Sequence, residues 1–184
     1  MASADHLVAH WFGDAFAQLA PQLQALHAHG GMLRGPCKVA YGKGLAGVVG
    51  KLLAQRLGIG AAGGNATMTV TIAADVTGLR WSRRFNDGPA FVSHFEPVGR
   101  YPDGYWLERS GAIKLRFGVV LKEGAWHWQQ QQLSWLGMPL PGRLMPETIA
   151  SKAVVDGAYV FGVDIRFPLL GTVLSYRGAL ALVA

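Results

Sequence analysis

The chain has 184 residues, of which 51% are apolar and 15% charged, with a net charge of +6 and a single cysteine, Cys37. That length suits one domain, 1–184, with a sizeable core, and one cysteine excludes an intramolecular disulfide. No apolar run approaches the ~20 residues of a membrane-crossing helix, and the basic residues are too scattered to track a phosphate backbone, so no transmembrane segment and no nucleic-acid partner are expected.

In chain order, Leu7, Val8, Trp11, Phe12, Phe16 and Leu19 recur at helical spacing and predict an amphipathic helix. Pro21 opens a second short helix with Leu23, Leu26 and His27 on its inner side, and Gly30-Gly31 ends this N-terminal helical segment, 5–29. Met32 to Tyr41 reads as a strand. Leu45, Val48, Val49, Leu52, Leu53 and Leu57 then define an inserted helix, 44–58, whose apolar face is expected to cover the sheet. Gly44, Gly47 and Gly50 lower its helicity but allow close backbone approach. Its Lys51 and Arg56, beside Leu and Val, have an alternative use on an anionic membrane surface.

Gly58-Ile59-Gly60-Ala61-Ala62-Gly63 matches the letters of a dinucleotide-binding fingerprint. Those glycines should follow a strand and open a helix; here they follow a helix and precede a strand, so they read as a turn.

An antiparallel sheet, 66–182, is built strand after strand beyond this point. Met68, Val70 and Ile72 alternate with threonines, and Gly78 turns the chain into Leu79, Trp81, Arg83 and Phe85. Asn86-Asp87-Gly88 leads to Phe91, Ser93 and Phe95, and Tyr105 and Leu107 follow a proline-bounded loop. Ile113 to Leu121 and Trp126 to Trp135 are the longest strands, joined at Glu123-Gly124. Thr148 to Val155, Tyr159 to Phe167 and Val173 to Leu182 complete the sheet. The expected fold is α+β, mostly β: a strongly curved antiparallel sheet of about eight to ten strands, half-barrel or barrel-like, with an N-terminal helix and one inserted helix covering its concave face. A closed, lipocalin-like barrel is the alternative. Gly118 and Gly162 are candidate bulges.

The Trp81-Ser82-Arg83-Arg84-Phe85 strand, Ser93, Leu107-Glu108-Arg109, the Leu136 to Pro141 loop with Pro146, and the ending Pro168-Leu169-Leu170-Gly171 to Ser175-Tyr176-Arg177-Gly178 together resemble the bacterial family called domain of unknown function 4166. The likeness covers nearly the whole chain and is to the stand-alone form. Some members adjoin a saccharopine-dehydrogenase-like reductase, which implies a reductase-like partner. The resemblance carries no catalytic residues.

Period-two geometry places Arg83 on the apolar side with Trp81 and Phe85. It is either the anion anchor of a ligand whose tail lies along the sheet, or an internal partner of Glu108 or Glu96. Trp81, Arg83, Phe85, Phe117, Trp126, Trp128 and Tyr159, with Phe161 beside them, form the candidate ligand-binding set. His94, Glu96, Glu108 and His127 are the candidate acid-base groups of an alternative, enzymatic or reductase-accessory reading. His6, His10 and Asp14 are spaced four apart on the first helix and read as a polar face, with no metal and no cofactor expected. The leading expectation is non-catalytic binding of a small, largely apolar molecule, lipid-like or acyl, with an anionic head. A protein or membrane-surface interaction module, or a homodimer, is the third. The single cysteine and an N-terminus without charged and apolar blocks point to the cytoplasm.

Overall fold

A computed structural model describes residues 7–60, 63–74 and 77–183. Eleven strands form one antiparallel sheet: β1 (Gly31–Tyr41), β2 (Gly64–Ala74), β3 (Leu79–Phe85), β4 (Phe91–Val98), β5 (Tyr105–Ser110), β6 (Ile113–Lys122), β7 (Ala125–Trp135), β8 (Met138–Pro139), β9 (Glu147–Val155), β10 (Ala158–Phe167) and β11 (Gly171–Leu182). The order runs β6-β5-β4-β3-β2-β1-β11-β10-β9-β7, with the two-residue β8 beside β7. Pairing of β6 with β7 closes the ring, so the expected curved sheet is a ten-stranded barrel. Closure removes the free edges of an open sheet.

Eight strands enclose an interior that side chains just fill, and the diameter grows with strand number. A ten-stranded ring therefore needs large inward residues. Trp81, Phe85, Phe95, Trp106, Phe117, Trp126, Trp128, Tyr159, Phe161 and Tyr176 meet this need, joined through ring contacts such as Trp126–Trp128 at 4.9 Å and Phe95–Trp128 at 5.6 Å. Register shifts fall at Arg116/Phe117, beside Gly118, and at Ile165/Arg166, beyond Gly162. The β3 ladder is regular on both sides of Arg83, so its inward direction stands.

Because neighbouring strands alternate in direction, the connections sort into two ends. One end is closed by α1 (Leu7–Phe12), a 3₁₀ turn (Gly13–Gln18) and α2 (Pro21–His29). The expected single first helix breaks at Gly13, whose φ of +57° lies outside helical space. Trp11 and Phe12 pack into the barrel mouth against Trp106 and Trp126, and Trp11 Nε1 donates to the Val98 carbonyl at 3.2 Å. Of the candidate polar face on this helix, His10 is exposed and contacts Arg100, Asp14 is exposed in the 3₁₀ turn, and His6 lies outside the described residues.

The inserted helix, α3 (Leu45–Arg56), lies at the opposite end, and the expected apolar face is divided: Val49, Leu53 and the following Leu57 pack against the core, while Leu45, Val48 and Leu52 do not. Its buried residues are Ala46, Gly47, Gly50 and Ala54, whereas Leu45, Val48 and Leu52 are exposed to solvent. Small residues win the inner face because α3 rests directly on the backbone of β11: a Cβ at Gly50 would overlap the Val173 carbonyl oxygen and crowd the Tyr41 ring. The Gly58 to Gly63 segment is a turn after this helix, as its context indicates, with Ala61 and Ala62 outside the described residues. Gly50→Ala should gain about 1 kcal/mol of helix propensity yet lower stability by about 1–3 kcal/mol through overpacking. A urea midpoint equal to or above wild type would contradict this close approach.

Candidate functional site

Along β3, β4 and β5 the inward residues form a cross-strand ladder: Trp81 opposite Ser93, Arg83 opposite Phe91, and Phe95 opposite Glu108. An arginine thereby enters the barrel with a carboxylate two strands away. Arg83 donates to Glu108 Oε1 at 2.9 Å and to the Ser93 hydroxyl, and its guanidinium lies over the Phe91 ring at 4.9 Å. Burial opposes its charge, but Glu108 and the Tyr176 hydroxyl more than offset this and hold its pKa above the ordinary arginine value. Burial also raises the Tyr159 and Tyr176 phenols, so both stay protonated. Arg83 is thus the internal partner of Glu108. The alternative partner, Glu96, instead binds Arg109 at 2.7 Å in an exposed pair.

Lys152 on β9 is the feature the sequence left unread. It is 2% exposed, on the strand face that also carries Ala150 and Val154. Its ammonium lies 3.5 Å from the Trp126 ring centroid, 4.7 Å from Trp81 and 5.2 Å from Trp128. Among the described residues no carboxylate stands within ion-pair distance of it. The His27 ring supplies its hydrogen bond: Nδ1–H donates to the Leu23 carbonyl at 2.7 Å, which leaves the Nε2 lone pair to accept from Lys152 Nζ at 2.6 Å. Burial drives the Lys152 pKa well below the ordinary lysine value, and burial followed by the nearby lysine charge does the same to His27.

Between these two groups lies a cavity of about 80 Å³. Arg83, Glu108 and Lys152 supply its polar wall, with Trp81, Phe117 and Trp128 among its aromatic lining. A water needs roughly 10–15 Å³ on this measure, so the space suits a slim chain or several waters rather than a bulky ring. Buried polar donors normally find acceptors. Here Arg83 Nε and Trp81 Nε1 are buried without one among the described residues, and both side chains border the cavity.

The structure brings together most of the candidate ligand-binding set: Trp81, Arg83, Phe117, Trp128 and Tyr159 border the cavity. Trp126 underlies it through Lys152, while Phe85 packs on Tyr176. It does not bring together the candidate acid-base set. Glu108 points inward, whereas His94 is exposed, Glu96 faces out to Arg109, and His127 alternates with the inward Trp126 and Trp128. Strands β4 and β7 are also separated by β5 and β6, about 14 Å at ordinary strand spacing. Cys37 is a buried thiol whose pKa burial pushes up to about 11, which removes it as a nucleophile near neutral pH. No group of three or more metal-ligating side chains occurs among the described residues.

Fold and interior together define a small closed antiparallel barrel with an aromatic, partly charged core. The model of the family described as domain of unknown function DUF4166 matches residues 19–180, and the chain belongs to that family. Neither the curated proteins nor the solved structures contain a match.

The depressed lysine gives a pH signature. A folded-state pKa below the unfolded value of about 10.4 means that the unfolded chain binds more protons, so this group's contribution to stability rises with pH across that window. Between about pH 7 and 8.5, above the histidine range and below the thiol range, wild-type stability should climb relative to Lys152→Met. Chemical denaturation at several pH values checks this, and parallel pH curves for the two proteins would contradict it.

Proposed function

We propose that the barrel holds a small, largely apolar molecule, a slim acyl chain with a carboxylate head, as a non-catalytic carrier. The observation that supports this reading is the cavity in which a lysine without a carboxylate partner and two unpartnered donors converge among aromatic rings. An incoming carboxylate offers acceptors to Arg83 Nε, Trp81 Nε1 and Lys152 at once, while its chain replaces solvent along Phe117 and Trp128. Hydrogen bonds to charged groups contribute about 1.5–3 kcal/mol, and the aromatic wall adds non-directional burial. In this reading Arg83 is a secondary head-group contact, since Glu108 already pairs with its guanidinium.

The enzymatic reading loses its acid-base cluster, because its four groups lie on opposite faces of the sheet. A carrier also fits the chemistry of the lining, which is rich in aromatic contact surface.

The test compares native with denaturing mass spectra of protein purified from its expression host, followed by tryptophan-fluorescence titration of the stripped protein with decanoate. A co-purified acyl mass or saturable quenching is expected, with affinity at least tenfold weaker in Lys152→Met, equivalent to about 1.4 kcal/mol. A protein that carries nothing and shows no saturable response to decanoate would overturn the carrier reading.

A further inference from the structure

Both ends of the barrel expose apolar side chains, Met32, Val155, Leu182 and Val183 at the α1–α2 end and a larger set at the α3 end. At the α3 end the structure exposes Leu45 (75%), Val48 (57%) and Leu52 (59%), spaced three and four apart along one helical stripe. Besides α3 itself, the connections that reach this end are the β3–β4 and β5–β6 turns, the segments between β7 and β9, and the β10–β11 turn, by strand alternation. They add a second set of outward apolar side chains: Trp135, Leu136, Met138, Leu144 and Leu169, the last fully exposed at a turn tip. Single exposed leucines on a surface are ordinary, but so many gathered at one end of a small domain are not.

Charge is sorted the same way. Exposed Lys43, Lys51 and Arg56 flank the α3 stripe, and Lys114, Arg143 and Arg166 stand by the neighbouring tips, against Asp87 and Glu147. The opposite end mixes Asp14, Asp103, Glu123 and Asp156 with Arg80, Arg100 and Lys122. A basic helix with an outward apolar stripe, beside protruding Leu and Trp, has the two ingredients of interfacial binding: apolar side chains for the acyl boundary and cations for anionic headgroups. The packing of α3 explains why the stripe is free. Its glycine and alanine face is committed to β11, and Val49, Leu53 and Leu57 pack against the core, which leaves Leu45, Val48 and Leu52 on the outward side.

We infer that the α3 end docks on an anionic lipid bilayer, with Leu45, Val48, Leu52 and the Trp135 to Met138 and Leu169 tips entering the interface and the surrounding lysines and arginines meeting the headgroups. A second copy of the chain is a poorer occupant, because a symmetric contact through this end would set one basic rim against another. The proposal stands apart from the carrier reading, since it rests on the outer surface and not on the cavity.

Vesicle co-sedimentation of the full chain tests it, with phosphatidylcholine vesicles and vesicles in which about a third of the lipid is phosphatidylglycerol, a content chosen to give a surface potential of the order found in anionic leaflets. Binding to the anionic vesicles only, weakened at high salt, and lost by at least tenfold in Leu45→Glu/Leu52→Glu and in Leu169→Glu, is the expected result. Both variants change exposed side chains and should keep the wild-type far-UV circular dichroism. Folded wild type that stays in the supernatant with anionic vesicles, variants that bind as well as wild type, or a concentration-dependent dimer that these variants dissolve would each overturn the proposal.

Discussion

A charged group inside a closed barrel has lost its water, and replacing that hydration costs several kcal/mol per ion unless partners are supplied. This chain places three such groups, Arg83, Glu108 and Lys152, within one aromatic interior. The first two satisfy each other at 2.9 Å with help from Ser93 and Tyr176. Among the described residues Lys152 receives a histidine lone pair and the faces of three indoles. Each indole attracts a cation by about 0.5–2 kcal/mol, while burial favours the neutral amine. Burial therefore holds the amine's pKa well below the ordinary lysine value, and an anionic partner would raise it.

The rest of the architecture serves that interior. Ten strands make a ring wide enough to leave space among the side chains, and bulky aromatics reduce the space to a narrow cavity. At one end, α1 and α2 bring Trp11, Phe12, Leu23 and His27 down onto the core, and His27 is the point at which this helical cover contacts Lys152. At the other, α3 leans on β11 through its small residues, packs Val49 and Leu53 on the core, and turns Leu45, Val48 and Leu52 outward. The chain thus has a closed end tied to the buried lysine and a basic, apolar end facing away from it.

Much of this was legible in the sequence. Alternation from Met68 onward locates the strands, and the same period-two argument puts Arg83 inside with Glu108 as a candidate partner, both of which hold. Closure was open between two outcomes because it depends on β6 meeting β7 around the far side, a long-range pairing that no local pattern encodes. Two further features escaped for physical reasons. Lys152 sits among short residues on β9, and a lysine in an alternating strand reads as solvent-facing; the indole cage, assembled from β3 and β7, and the His27 lone pair from α2 make its burial tolerable. The α3 face is legible only in part: Val49, Leu53 and Leu57 pack inward as the periodicity indicates, but contact with backbone at β11 demands the smallest residues and leaves Leu45, Val48 and Leu52 outside, a constraint that the spacing of Gly47 and Gly50 hints at.

As the buried amine that would receive an anionic head group, Lys152 carries the carrier proposal. Its ¹³Cε resonance, followed against pH in the stripped protein and again with decanoate present, measures this directly. The account predicts a titration well below the ordinary lysine value in the empty barrel and a clear upward shift once decanoate is bound, as the carboxylate stabilises the ammonium. An ordinary lysine titration in the empty protein, or a depressed one that decanoate leaves unchanged, would contradict it.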